Sequence, residues 1–122
     1  MSTIVHFDLP ADDIERAKKF YSALFDWKFE SFPEMQYYLI TTTDLAGTQG
    51  VGRGMGKRMD PSQHITNYFG VKSIDAAMNQ VRSLGGSVIM GKMAVPKMGY
   101  LATCLDTEGN PFGLWEEDAG AK

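Results

Sequence analysis

Apolar and polar positions alternate through "IVHFDLP" at residues 4–10, and then the period changes: Ile14, Ala17, Phe20 or Tyr21, and Leu24 fall on one face of a helix. The alternating segment predicts a strand with Val5, Phe7 and Leu9 on one side and Ile4, His6 and Asp8 on the other. Asp12 with Glu15 three positions on predicts the helix start as an N-cap and capping box. The same change of period recurs after Ser73, where Ile74, Ala77, Val81 and Leu84 predict a second helix ending at Gly85 and Gly86. Ile14, Ala17 and Leu24 match Ile74, Ala77 and Leu84, so residue n answers residue n + 60.

The segments after the helices repeat as well. "YLITTTDLAGTQGVG" from Tyr38 lies over "YLATCLDTEGNPFGL" from Tyr100, with Tyr, Leu, Thr, Asp and Gly coinciding at n + 62. Each reads as a strand, a turn built on Asp and Gly, and a further strand. Each half is therefore βαβββ, module one at about residues 1–58 and module two at about 63–118, within a single domain spanning 1–122. A lone βαβββ unit leaves one sheet face bare. The expected class is α+β, with two paired modules forming a curved, partly closed mixed sheet around a cleft that would bind ligand.

Composition narrows the functions. The chain has 122 residues, 43% hydrophobic and 22% charged, values ordinary for a folded globular domain. A formal charge of -3 gives no general attraction to nucleic acid or an anionic membrane, and no apolar run approaches a membrane span. A cytoplasmic location is the expectation. Cys104 is the one cysteine, which excludes an internal disulfide and a cysteine-rich zinc site, and "YLATCLD" reads it as a small buried hydrophobe.

"HFDLPADDIERAKKFYSALFDWKF", "YFGVKSIDAAMNQVRSLGGSV" and "DTEGNPFGLWE" together resemble the vicinal oxygen chelate superfamily, which includes glyoxalase I, bleomycin- and fosfomycin-resistance proteins and extradiol dioxygenases. The resemblance covers nearly the whole chain. It implies a glyoxalase-like fold, frequent dimerisation and, in metal-dependent members, ligands drawn from the first and last strands of each module. Carried over by position, these are His6, Thr66, Gly113 and Val51, of which His6 alone offers a strong ligand. His64, two residues before Thr66, would be the partner of His6 in any two-histidine metal site. The favoured expectation has no metal and no other cofactor, with His6 lining the cleft wall as hydrogen-bond donor and acceptor.

Other wall residues follow from alternation. Asp8 beside His6 would orient one imidazole tautomer; Thr66 and Tyr68 would face the cleft in module two. Phe112 and Leu114 would point to the helices, and Gly113 and Trp115 inward, leaving room for an apolar ligand on which Trp115 stacks. "GVGRGMGKR" at residues 50–58 fails the phosphate-loop pattern, since Val51 stands where its first glycine belongs and Arg58 where Ser or Thr belongs. It is expected to be a flexible flap over the cleft, with Arg53 as an anion contact and Met55, Met59, Met90, Met93 and Met98 supplying an adaptable loop wall. The ligand-binding set is thus His6, Asp8, Arg53, Thr66, Tyr68, Gly113 and Trp115, and no catalytic residue is assigned. The expected function is binding of a small, partly apolar molecule, with a homodimer as the expected assembly. The alternatives are a metal-dependent glyoxalase-type lyase or isomerase, and a dimeric interaction module whose interface uses Trp27, Phe29 and Trp115.

Overall fold

The computed structural model describes residues 2–33 and 36–122. Its elements run β1 (Ile4–Ala11), α1 (Ile14–Phe25), β2 (Lys28–Phe32), β3 (Tyr37–Thr41), β4 (Gly52–Lys57), β5 (Thr66–Gly70), α2 (Ile74–Ser83), β6 (Ser87–Val95), β7 (Gly99–Leu105) and β8 (Pro111–Glu117). This is βαβββ twice over, the α+β class expected from the repeat. Two compact units divide the chain, one of His6–Ile65 and one of Thr66–Lys122 with the residues up to Val5.

In the first unit the strand order is β2-β3-β4-β1, with β1 and β4 parallel and the remaining pairs antiparallel. Alternation sorts its two faces. Leu9, Ala11, Ile40 and Met55 form the buried core, and Phe7, Ile14, Ala17, Tyr21, Trp27 and Phe29 pack against it. Tyr21 and Trp27 stack with ring centroids 4.7 Å apart. Trp27 and Phe29, named for the interface of the alternative interaction module, pack against the core that α1 covers. Residues 52–57, expected to be a flap, form an inner strand instead, and Met55 within it is fully buried.

The helix start falls one residue later than the sequence suggested. Asp13 is the N-cap, its carboxylate accepting from the Arg16 amide at 3.0 Å. Asp12 instead pairs with Arg58 at 3.0 Å, and Glu15 accepts from the Tyr38 hydroxyl at 2.6 Å, so no capping box forms.

The second unit has the order β5-β8-β7-β6, with β5 and β8 parallel. Its core is Ile74, Met78, Ala102, Cys104 and Leu114, with Phe112 packed against it. Burial raises the pKa of the Cys104 thiol, which behaves as the small hydrophobe anticipated. Ser73 caps α2 by accepting from the Ala76 amide, and Glu116 on β8 accepts from the Ile74 amide at 2.8 Å, placing negative charge at the positive end of the helix.

The Asp-Gly turns repeat atom for atom. Asp44 Oδ1 accepts from the Ala46 and Thr48 amides, and Asp106 Oδ1 accepts from the Glu108 and Asn110 amides, all at 2.8–2.9 Å. Gly47 and Gly109 both take positive φ, 88° and 83°. Past the turns the n + 62 register fails. Asp8 pairs with Gly54 and Tyr68 with Gly113, so the last strands match at n + 59. Module one carries three extra residues between turn and strand, and Val51, assigned by n + 62, lies before β4 begins.

Two outcomes follow. Val5 is 39% exposed against 7% for Leu9, so Leu9→Ala should cost about 2–4 kcal/mol in chemical denaturation and Val5→Ala less than about 1 kcal/mol. The backbone amide of Asn110, its side-chain amide and the Glu108 amide hold the Asp106 carboxyl below the usual carboxylate range. A depressed folded pKa contributes stability that is fully present above the unfolded value of about 3.9 and lost as pH falls through the folded value. The stability gap between the parent and Asp106→Asn should therefore narrow in denaturation series taken from neutral to acid pH, and a pH-independent gap would remove the carboxylate as its source.

Candidate functional site

Because Phe7, Leu9 and Ala11 turn toward α1, His6 and Asp8 take the opposite face of β1. His6 Nε2 lies 2.8 Å from Asp8 Oδ1, with the two side chains 27% and 30% exposed. Tyr37 completes the group. Its hydroxyl donates a short hydrogen bond to Asp8 Oδ1 and lies 2.8 Å from His6 Nε2. An Nε2 lone pair would face a carboxylate oxygen at that distance, so Nε2 carries a proton directed at the two oxygens.

Tyr37 starts on β3, and β4 lies between β3 and β1. Its side chain reaches Asp8 only because β4 presents glycine on that face. A Cβ on Gly54 would overlap the Tyr37 hydroxyl, and one on Gly56 would come within 3.3 Å of the ring. Tyr37 pairs with Gly56, and Gly54 pairs with both Leu39 and Asp8, so the ring runs across β4 from one neighbour to the other. Leu39 on β3 and Phe32 on β2 share this face and are half-buried.

The other residues of the expected ligand-binding set lie apart from this cluster or in the second unit. Arg53 pairs with Phe7 on the helix side of the sheet, its guanidinium 4.7 Å from the Phe7 ring and 5.1 Å from that of Trp27. Desolvation there lowers its pKa. His64 precedes β5 and lines a pocket of about 360 Å³ with Leu9, Met55, Arg16 and Arg58, on the α1 side of the sheet and opposite His6. Thr66 opens β5, and Tyr68 pairs with Gly113.

The room that Gly113 leaves is filled from within: a Cβ there would overlap the Tyr68 ring. Trp115 likewise lies against Gly99, where a Cβ would come within 2.7 Å of the indole. Leu114 and Phe112 join the α2 core as expected. Of the five methionines expected in loops, Met55 is core and Met90 and Met93 stand on β6, leaving Met59 and Met98 outside the strands.

A divalent centre of the kind the resemblance implies does not fit these residues. At the equivalent last-strand positions stand Gly54 and Gly113, each beneath a tyrosine ring. Among the described residues no three His, Cys, Asp or Glu side chains group to hold a metal ion. What the arrangement offers is a hydrogen-bonded His, Asp and Tyr set on the sheet face opposite α1.

Tyr37 is the member that sequence reasoning missed. The repeat predicts a strand from Tyr38, one residue too late, and the signal for Tyr37 lies in the glycines at every second position of "GRGMG". On an inner strand, such a stripe needs a neighbouring side chain to cover it. Gly54→Ala should displace the Tyr37 ring, cost about 1–3 kcal/mol and remove the hydroxyl's coupling to His6. Denaturation together with the His6 ring resonances in NMR checks this; an unchanged imidazole spectrum would contradict the crossing.

Residues 3–43 match the family model for the bleomycin resistance protein-like N-terminal region. CFP32 of Mycobacterium bovis and Mycobacterium tuberculosis, whose name carries a provisional glyoxylase assignment, is 29% identical over 115 residues. The match covers 89% of this chain and 43% of theirs, so the chain spans less than half the length of these curated relatives. A glyoxylase-like domain-containing protein of Didymella fabae is 29% identical over 114 residues, 88% of each chain. Among solved structures, methylmalonyl-CoA epimerase in complex with methylmalonyl-CoA and NH4+ superposes with a TM-score of 0.70 at 15% identity, covering 100% of this chain and 99% of that one. A Streptomyces coelicolor methylmalonyl-CoA epimerase in complex with 2-nitronate-propionyl-CoA gives 0.68 at 16% identity, covering 98% and 97%. At such identities the structural likeness establishes the fold. The sequence matches make the chain similar to the glyoxalase and bleomycin-resistance proteins of the vicinal oxygen chelate superfamily.

Proposed function

We propose that the chain binds a small, partly apolar molecule on the sheet face of module one that carries His6, Asp8 and Tyr37, and that it does so without a divalent metal. The observation that supports this most directly is the hydrogen-bonded cluster itself, half-buried and beside Leu39 and Phe32. A fixed polar group next to apolar side chains suits a ligand with one polar end and one apolar body. The superfamily includes proteins that sequester ligands as well as enzymes, so fold alone selects neither.

A second reading, a glyoxalase-type lyase or isomerase, draws on the relatives' glyoxylase names and on the cluster's capacity to hold and move a proton. It predicts turnover of a methylglyoxal thiol adduct that disappears on His6→Ala.

Metal analysis of protein purified without chelator should find no stoichiometric zinc, nickel, manganese or iron; finding one would overturn the metal-free reading. For ligands recovered in a thermal-shift screen that includes bleomycin and the methylglyoxal thiol adduct, His6→Ala should weaken binding by about 1–3 kcal/mol while the melting temperature hardly changes. Undiminished binding to that variant would move the site elsewhere.

A further inference from the structure

We infer that the ligand presents an organic cation to this site, an ammonium or amidinium group seated on Asp8 Oδ2. The inference rests on the reading that the His6, Asp8 and Tyr37 face binds ligand. Its ground is how the carboxylate is used. The bonds to Asp8 from His6 Nε2 and from the Tyr37 hydroxyl converge on Oδ1. Oδ2 has no partner among the described residues. Two donors from separate strands, β1 and β3, hold one oxygen and so fix the carboxylate plane, leaving the second oxygen as a positioned acceptor.

The same bonds argue against an anionic ligand. The phenol proton and the Nε2 proton are directed at Asp8 and Tyr37. An incoming carboxylate or phosphate would meet the Asp8 charge first. A divalent ion would need more protein donors than the cluster has. An organic cation needs one accessible carboxylate oxygen and supplies its own N–H donors, making a charge-assisted bond in a half-buried setting. Lys28 and Glu30 on β2 share this face and offset one another in charge. Leu39 and Phe32 would take an aromatic or branched body attached to the cation.

Benzylamine, benzyl alcohol and benzoate present one body with three polar ends and serve as probes. Titrated at low-millimolar concentrations into the full chain and followed by NMR, benzylamine should perturb the His6 ring resonances saturably and bind more tightly than the other two. Asp8→Asn should weaken benzylamine by about tenfold or more. Asp75→Asn, which removes the same charge from an exposed carboxylate on α2, should leave that affinity unchanged, which separates recognition by Asp8 from a change in net charge. Benzoate or benzyl alcohol binding as tightly as benzylamine, or equal benzylamine binding to Asp8→Asn, would overturn the cation while leaving the ligand face in place. Perturbation of the His6 resonances by none of the three would count against both the cation and the ligand face.

Discussion

The place of Tyr37 in the polar cluster depends on β4 carrying no side chain at Gly54. Strand β4 lies between β3 and β1, and side chains of strands two positions apart do not normally touch across an intervening one. Removing the Cβ at Gly54 opens a path for the Tyr37 ring, which brings its hydroxyl to Asp8 and His6. The alternate residues of the same strand do the opposite work, with Met55 fully buried against Leu9, Ala11 and Ile40. One six-residue strand thus holds the module's core with one face and makes space for the candidate site with the other. Glycine in a strand interior weakens it by roughly 0.5–1 kcal/mol relative to alanine, and here the ring packing and two hydrogen bonds of Tyr37 oppose that cost.

Module two uses the same device to a different end. Gly113 stands opposite Tyr68 as Gly54 stands opposite Asp8, and again a tyrosine ring covers the glycine. The tyrosine comes from the paired first strand in one module and from a strand two away in the other. In module one the hydroxyl therefore arrives beside a carboxylate and an imidazole on β1. The last-strand position where the resemblance implies a metal ligand is in both modules a space occupied by a phenol.

The fold was largely legible because its signals are local. Alternation placed Leu9 and Leu114 in their cores, the n + 60 match located both helices, and the Asp-Gly turns recurred at n + 62 with the same amide bonds to Asp44 and Asp106. The errors arose where a constant offset or local composition stood in for pairing. Three extra residues after the first turn moved the last-strand match from Val51 to Gly54. Glycine-rich "GVGRGMGKR" reads as flexible by composition, yet hydrogen bonding on both sides makes it an inner strand. Arg53 is expected over the cleft as an anion contact, whereas its register with Phe7 turns it toward the aromatic rings.

The candidate site was less legible than the fold for a physical reason. His6 and Asp8 are neighbours in sequence, and strand parity alone brings them to one face. Tyr37 is 29 residues from Asp8, and its part in the cluster depends on strand order and on what an intermediate strand lacks. The meaning of Asp8 changes once that third member is known. A carboxylate next to one histidine reads as an orienting group for the imidazole. A carboxylate whose Oδ1 is claimed by both a histidine and a tyrosine is itself the oriented group, and its other oxygen becomes the feature with which a ligand must agree.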